Sequence, residues 1–250
     1  MKYSFWIKIM LLFLTFSIAS FSLACVFGAF DPEAQNSGAF LPTEGTLQPK
    51  YTTVIIDAGH GGEDGGASSK AGLVEKDVNL EIAHLLRELL EKNGVNVIMT
   101  RDDDRLLYDR NTNYQGRKKK LDLAARLTVA DTTPDAIFIS IHMNSFTDPR
   151  YSGLQVWYSP NNTDSLPLAE LIRRTNVEML QSDNTRATKE ATSAINLLHN
   201  AKCPAVLVEC GFLSNVEEAA LFGTREYREK IAQVLAQAVT KFLQNHVSAT

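Results

Sequence analysis

The sequence predicts an α/β fold: a single domain whose twisted, mostly parallel sheet is covered by helices on both faces and preceded by an N-terminal hydrophobic helix. Three observations carry this expectation. Short uninterrupted Val/Ile/Leu runs recur along the chain, as in strands buried on both faces. Segments with apolar residues at the 3.6 period alternate with them, the order of a layered architecture. The chain has 250 residues with 44% in the hydrophobic set, enough to bury a substantial core without disulfides. Cys25 lies in an apolar leader. Cys203 and Cys210 sit in a near-extended stretch that would separate them by roughly 23 Å at ~3.3 Å per residue, too far for a bridge.

Residues 1–30 come first. Lys2 and Lys8 flank 22 uncharged residues from Ile9 to Phe30, which as a helix at ~1.5 Å per residue just span a hydrocarbon core of about 30 Å. The positive flank would stay cytoplasmic and send residues 31–250 outside. A cleaved signal, a retained membrane anchor and a lipoprotein leader ending at Ser22-Leu23-Ala24-Cys25 are all open readings. Residues 31–50 read as a linker interrupted by Pro32, Gly38, Pro42, Gly45 and Pro49, and residues 51–250 as the folded body.

Within that body Thr53–Ile56 is a strand running into Asp57-Ala58-Gly59-His60. Asp77 caps a helix through Leu80, Ala83, Leu85, Leu86, Leu89 and Leu90, stopped by Gly94. Val95–Thr100 is the next strand. A polar segment, Arg101–Gly116, precedes a helix through Leu121, Leu123, Ala124 and Leu127. Ala136–Ile141 and Leu154–Tyr158 are strands. Ser165 opens a helix through Leu168, Leu171, Ile172, Val177 and Leu180. Ile195–Leu198 and Ala205–Val208 are further strands, and Tyr227–Phe242 is an amphipathic helix. Residues 31–250 hold 23 basic and 29 acidic groups, net −6, which argues against a nonspecific nucleic-acid binder.

Ligand sites in such folds lie beyond the carboxyl ends of the strands. There the sequence puts His60 after the first strand, His142 in Ser140-Ile141-His142-Met143-Asn144-Ser145, and Glu209 in Val208-Glu209-Cys210-Gly211. Glu75 sits just before the first long helix. Two imidazoles and a carboxylate suit a catalytic zinc with an open coordination position. Such a metal activates water and polarises a carbonyl, and a second carboxylate can move the proton. The glycines around His60 allow close approach of backbone and substrate. A phosphate-binding reading of that loop fails because the G-x-G-x-x-G spacing is absent. An esterase reading is weak without a G-x-S-x-G elbow. Glu209 closing an apolar run is costly to bury without a partner. Each of the four also has an ordinary structural reading. His84, inside a helix, and His199, after Ile195–Leu198, are given no role, and Lys118-Lys119-Lys120 reads as a solvated helix start.

The blocks Ile56-Asp57-Ala58-Gly59-His60-Gly61-Gly62, Glu75-Lys76-Asp77, Ser140–Ser145 and Val208–Asn215 strongly resemble the zinc-dependent N-acetylmuramoyl-L-alanine amidases of bacteria. Thr100-Arg101 and Leu123–Arg126 fit the same pattern, and the match runs from Thr53 to Phe242. The resemblance implies a twisted, mostly parallel sheet, His60, Glu75 and His142 as zinc ligands, and Glu209 as the catalytic carboxylate. It implies peptidoglycan as substrate, cut between the lactyl group of muramic acid and the first L-alanine of the stem peptide, with residues 51–250 as the catalytic domain. Met143 and Ser145 replace alanines common in the third block, and the links 145–153 and 159–164 are too short for an inserted blocking helix. The N-terminal segment, the absence of wall-binding repeats, Arg186 and the block Cys203-Pro204-Ala205-Val206-Leu207-Val208-Glu209-Cys210 are similar to the germination-specific, spore-cortex subgroup. A vegetative cell-wall autolysin of the same chemistry and a noncatalytic wall-binding domain are the alternatives, and an activating protein partner is an open expectation.

Overall fold

A computed structural model describes residues 47–108 and 116–249. The expected leader, residues 1–30, lies outside the described residues, as does most of the expected linker. In chain order the elements are β1 (Leu47–Pro49), β2 (Thr53–Ala58), α1 (Glu75–Lys92), β3 (Asn96–Met99), α2 (Lys118–Thr132), β4 (Ala136–Asn144) and β5 (Gln155–Tyr158). They continue with α3 (Ser165–Met179), β6 (Lys189–Glu190), α4 (Asn196–Asn200), β7 (Ala205–Phe212), α5 (Val216–Phe222), α6 (Arg225–Asn245) and β8 (Val247–Ala249).

Among the described residues a six-stranded sheet runs in the order β3-β2-β4-β7-β5-β6. Every pairing in it is parallel except β5 with β7. Side chains alternate across the sheet, as the two-residue strand period requires. Val54, Ile56, Ile137, Ile139, Val206 and Val208 enter one core with the apolar faces of α1, α3 and α6. Ile55, Phe138 and Leu207 enter a second core with Ala130 of α2 and Leu197 and Leu198 of α4. The strands are therefore apolar on both faces, and their uninterrupted Val/Ile/Leu runs follow from that.

Four expectations need correction. Ile195–Leu198 is no strand: it leads into α4, where His199 donates its backbone N–H to Ile195 O at 3.0 Å and Ala201 to Leu197 O at 2.9 Å. So short an apolar run has no period to separate strand from helix, and β6 takes the sheet edge instead. The first helix starts at Glu75 rather than after Asp77. Its leading amides are satisfied by loop carbonyls, Glu75 N to Ala67 O at 2.9 Å and Lys76 N to Gly65 O at 3.1 Å, so no side-chain cap is required. The strand carrying Glu209 runs on to Phe212. Leu47–Pro49, inside the expected linker, pairs antiparallel with β8. Among the described residues no helix is long and apolar enough to cross a membrane, and Cys203 and Cys210 are both free thiols.

The turn after β2 is held by two buried arginines. Arg126 of α2, 2% exposed, donates to Ala58 O at 2.8 Å and His60 O at 2.7 Å. It also meets Asp57 at 2.5 Å and Asp122 at 2.7 Å. Arg101 donates to Ala58 O at 2.8 Å, Gly59 O at 3.0 Å and Lys76 O at 2.8 Å. Asp57 accepts further hydrogen bonds from Thr100 Oγ1 at 2.7 Å and Ser140 Oγ at 2.6 Å. Burial works against its charge, but Arg126 and these hydroxyls outweigh that and lower its pKa.

Removing one partner of a buried ion pair strands the other, so Arg126→Met should cost about 3–5 kcal/mol in urea unfolding at neutral pH. A loss below ~1 kcal/mol would mean that the clamp is not structural. Because the folded-state pKa of Asp57 is depressed, its contribution is complete above about pH 4, the unfolded value, and is lost as pH falls through the folded value. The stability gap between wild type and Asp57→Asn should accordingly narrow in acid, and a pH-independent gap would count against this pair.

Candidate active site

The first segment of the site is the turn Gly59–Gly66. His60 adopts φ +62°, a left-handed conformation uncommon for a residue with a Cβ. The Arg126 and Arg101 bonds on either side of it hold the turn in that shape. Gly59 must lack a side chain, because a Cβ there would overlap the His142 imidazole. Gly66, at φ +68°, lies where a Cβ would strike the Glu75 carboxylate.

The second segment is the first turn of α1. Glu75 is 3% exposed. Its Oε2 accepts from Ala67 N at 2.8 Å, and its Oε1 accepts from Met143 N at 3.0 Å. The same Oε1 lies 3.2 Å from His60 Nε2 and 3.0 Å from His142 Nδ1. Asn79, one helical turn on, ties Glu75 to the histidine loop: its Nδ2 donates to Gly59 O at 3.2 Å. The third segment is the end of β4, where His142 points to the side of Phe138 and Ser140 by strand alternation. The two imidazoles stand edge to face, 5.0 Å between centroids.

One ligand atom from each of His60, Glu75 and His142 falls within 4.8 Å of the others, so the three could together hold a metal ion. Two imidazoles and a carboxylate are the donor set of an open metal site. Burial disfavours the Glu75 anion, yet the hydrogen bonds from His142 and His60 outweigh it and hold the carboxyl well below its usual range. Burial likewise disfavours a charged His60, and Glu75 with Asp64 reverses the balance and raises its pKa. Asp64 Oδ2 lies 3.0 Å from His60 Nδ1, on the ring edge away from Glu75.

Glu209 comes from β7. The parallel ladder sets it opposite His142. It lines a cavity of about 220 Å³ with His60, His142, Asn196 and Lys119. Its Oε2 is buried and has no hydrogen-bond partner among the described residues. Burial pushes the carboxyl up to about 7, with His142 pulling against it and Glu75 adding to it. A group of that acidity beside three converging metal donors can take and return a proton near neutral pH.

All four site residues singled out in the sequence thus converge. His199 is exposed on α4 and does not line the cavity; Ala194–Leu197, just before it, do. His84 stands on α1 with Asp102 at 3.0 Å. Arg126, Arg101, Asp57 and Asn79 shape the site without having been assigned a role from the sequence. Asp57, Arg101 and Arg126 do fall in segments that carry the family resemblance, and two local signals go with them: Arg126 follows Asp122 by one helical turn, and Asp57 ends an apolar run where a bare charge would be costly.

A family model described as N-acetylmuramoyl-L-alanine amidase matches residues 54–241. The germination-specific N-acetylmuramoyl-L-alanine amidase of Bacillus subtilis is 33% identical over 216 residues, covering 85% of this chain and 88% of that protein. Among solved structures, the CwlD amidase from Clostridioides difficile in complex with the GerS lipoprotein aligns with a TM-score of 0.73 at 38% identity, over 78% of this chain and 99% of that one. An N-acetylmuramoyl-L-alanine amidase from Clostridium difficile 630 aligns with a TM-score of 0.67 at 30% identity, over 78% and 98% of the two chains. With the family model spanning most of the chain and relatives matched along nearly their full length, this protein belongs to the N-acetylmuramoyl-L-alanine amidases.

Proposed function

We propose that the enzyme hydrolyses the amide between the lactyl group of N-acetylmuramic acid and the L-alanine of peptidoglycan stem peptides, using zinc held by His60, Glu75 and His142. The observation that carries this reading is the convergence of those three donors beside a cavity that His60 and His142 share with Glu209, whose Oε2 has no partner among the described residues. Zinc bound there would supply a Lewis acid for water and for the amide carbonyl.

The protein's own residues do the remaining work. Glu209 accepts a proton from the water whose oxygen adds to the lactyl carbonyl carbon. It then returns that proton to the alanine nitrogen as the C–N bond breaks, leaving a lactyl carboxylic acid and an amine, between which the remaining hydroxyl proton passes to give carboxylate and ammonium. Its acidity near neutral allows both halves of that transfer. The Asp64 carboxylate stands 3.0 Å from His60 Nδ1, and the Arg126 and Arg101 bonds to residues 58–60 keep the loop in its left-handed form, so the donors need no rearrangement.

The likeness to a germination-specific amidase over 85% of the chain supports a role in spore cortex maturation or germination. It also supports action outside the cytoplasm, with residues 1–30 as the signal or membrane anchor and the body beyond them as the catalytic domain. An aligned amidase was solved in complex with a lipoprotein, which supports an accessory protein partner here.

Incubated with cortex and vegetative peptidoglycan, the full-length enzyme should release peptides beginning at L-alanine from intact glycan. Mass spectrometry reads the products, a chelator should abolish the reaction, and added zinc should restore it. Products cut elsewhere would reject the substrate, and equal rates on both walls would reject the cortex assignment. Glu209→Gln should keep its zinc while kcat falls by ~10²–10⁴; full turnover in that variant would reject the proton-transfer role. His142→Ala should lose zinc by elemental analysis, and unchanged metal content would exclude it as a ligand.

A further inference from the structure

Beyond the carboxyl ends of β4 and β7 lies a built surface that the amide chemistry does not use. Phe146 and Tyr151, in the loop after β4, remain 53% and 46% exposed, yet they are held in defined geometry. Their rings meet edge to face with centroids 5.0 Å apart, and Tyr151 stacks on Phe212 at 6.3 Å. The Arg186 guanidinium lies 5.7 Å from the Tyr151 ring centre and 4.7 Å from that of Phe212.

Hydrogen bonds fix the loop beneath these rings. Phe146 N donates to Ser214 Oγ at 3.0 Å, Asn215 Nδ2 to Pro149 O at 3.0 Å, and Arg186 Nε to Ser152 O at 2.7 Å. Gly153 N donates to the Glu218 carboxylate at 3.0 Å. Exposed aromatic rings set this firmly are positioned to be used rather than left over from packing.

Tyr151 and Arg186 form one wall of a groove of about 1050 Å³, where Asn184 and Asn215 offer planar amides. Arg150, Arg186, Asp183, Glu217 and Glu218 all line it, a nearly balanced set of charges, so recognition there falls to rings and amides and suits uncharged sugar rings between the muramic residues. Aromatic faces match the C–H faces of pyranose rings, while amides and a guanidinium match the hydroxyl and acetamido groups at the ring edges. The platform continues the strands that carry the site: Phe212 is three residues past Glu209 on β7, roughly 10 Å at ~3.3 Å per residue.

We propose that this surface is a glycan subsite: Phe146 and Tyr151 stack on N-acetylhexosamine rings flanking the residue whose peptide is removed, and Arg186 and Asn184 hydrogen-bond their edges. The proposal rests on the peptidoglycan reading above.

The test is a titration of the full-length protein with N-acetylglucosamine oligosaccharides, which carry the ring faces and acetamido groups of the glycan but neither lactyl carboxylate nor peptide. The wild type should bind them. Phe146→Ala/Tyr151→Ala should weaken binding about tenfold or more, equivalent to ~1.4 kcal/mol. Tyr151→Trp, which keeps an aromatic face, should bind within about threefold of the wild type. No binding by the wild type, or undiminished binding by the double variant, would overturn the proposal; a groove made for a polypeptide would give the first result. If thermal unfolding shows that the double variant is misfolded, Phe146→Ser alone, at the more exposed ring, is judged by the same criteria. Since no bond is cleaved in this experiment, a failure of the amidase reading would show in the product analysis instead.

Discussion

The site depends above all on the buried contact of Arg126 with Asp57. A charge from α2 is brought beneath the end of β2, and the cost of burying it is offset by two carboxylates and two backbone carbonyls. One of those carbonyls belongs to His60. A residue whose imidazole belongs to the candidate metal site is thereby held in a left-handed backbone conformation uncommon for a residue with a Cβ. Asp57 in turn joins β4 through Ser140 and the end of β3 through Thr100, so one carboxylate links three strands and a helix at the level of the site.

Around that fastening the functional groups come from separate parts of the chain with a clear division of labour. The loop after β2 brings an imidazole, the start of α1 a carboxylate, and the two central strands a second imidazole and a second carboxylate. Glu75 is already in contact with both imidazoles through one oxygen, while its other oxygen is held by a backbone amide. Glu209 is treated in the opposite way: half-buried, with its Oε2 enclosed and unpartnered among the described residues, and of raised pKa. Two acids of similar type thus differ in environment, one committed to donors and one left free to exchange a proton.

Much of this arrangement was legible from residue types alone. Histidines and a glutamate that close apolar runs are poor choices for a core and good ones for a site, and strand ends are where such folds place ligands. A helix-start signal at Asn215, with Glu218 three residues on, went unread: the Asn215 side chain accepts from Glu218 N and opens α5, a helix not expected from the sequence. Other features left no trace. Lys189–Glu190 forms an exposed two-residue strand with nothing periodic to detect. Ile195–Leu198 was too short to reveal its helical continuation. The role of Arg126 depends on partners nearly seventy residues away, and a side chain's distant neighbours are not written in its local pattern.

His142 and Glu209 face each other because of the backbone register between β4 and β7. A slip of one residue along that ladder would turn Glu209 into the opposite core. The two residues are 67 positions apart in the chain, so their pairing is a long-range contact of the kind that forms slowly during folding. No local fragment of the chain contains a rudimentary version of the site. Catalytic competence must therefore appear abruptly, when the central sheet closes, and a partly folded chain would carry no premature activity.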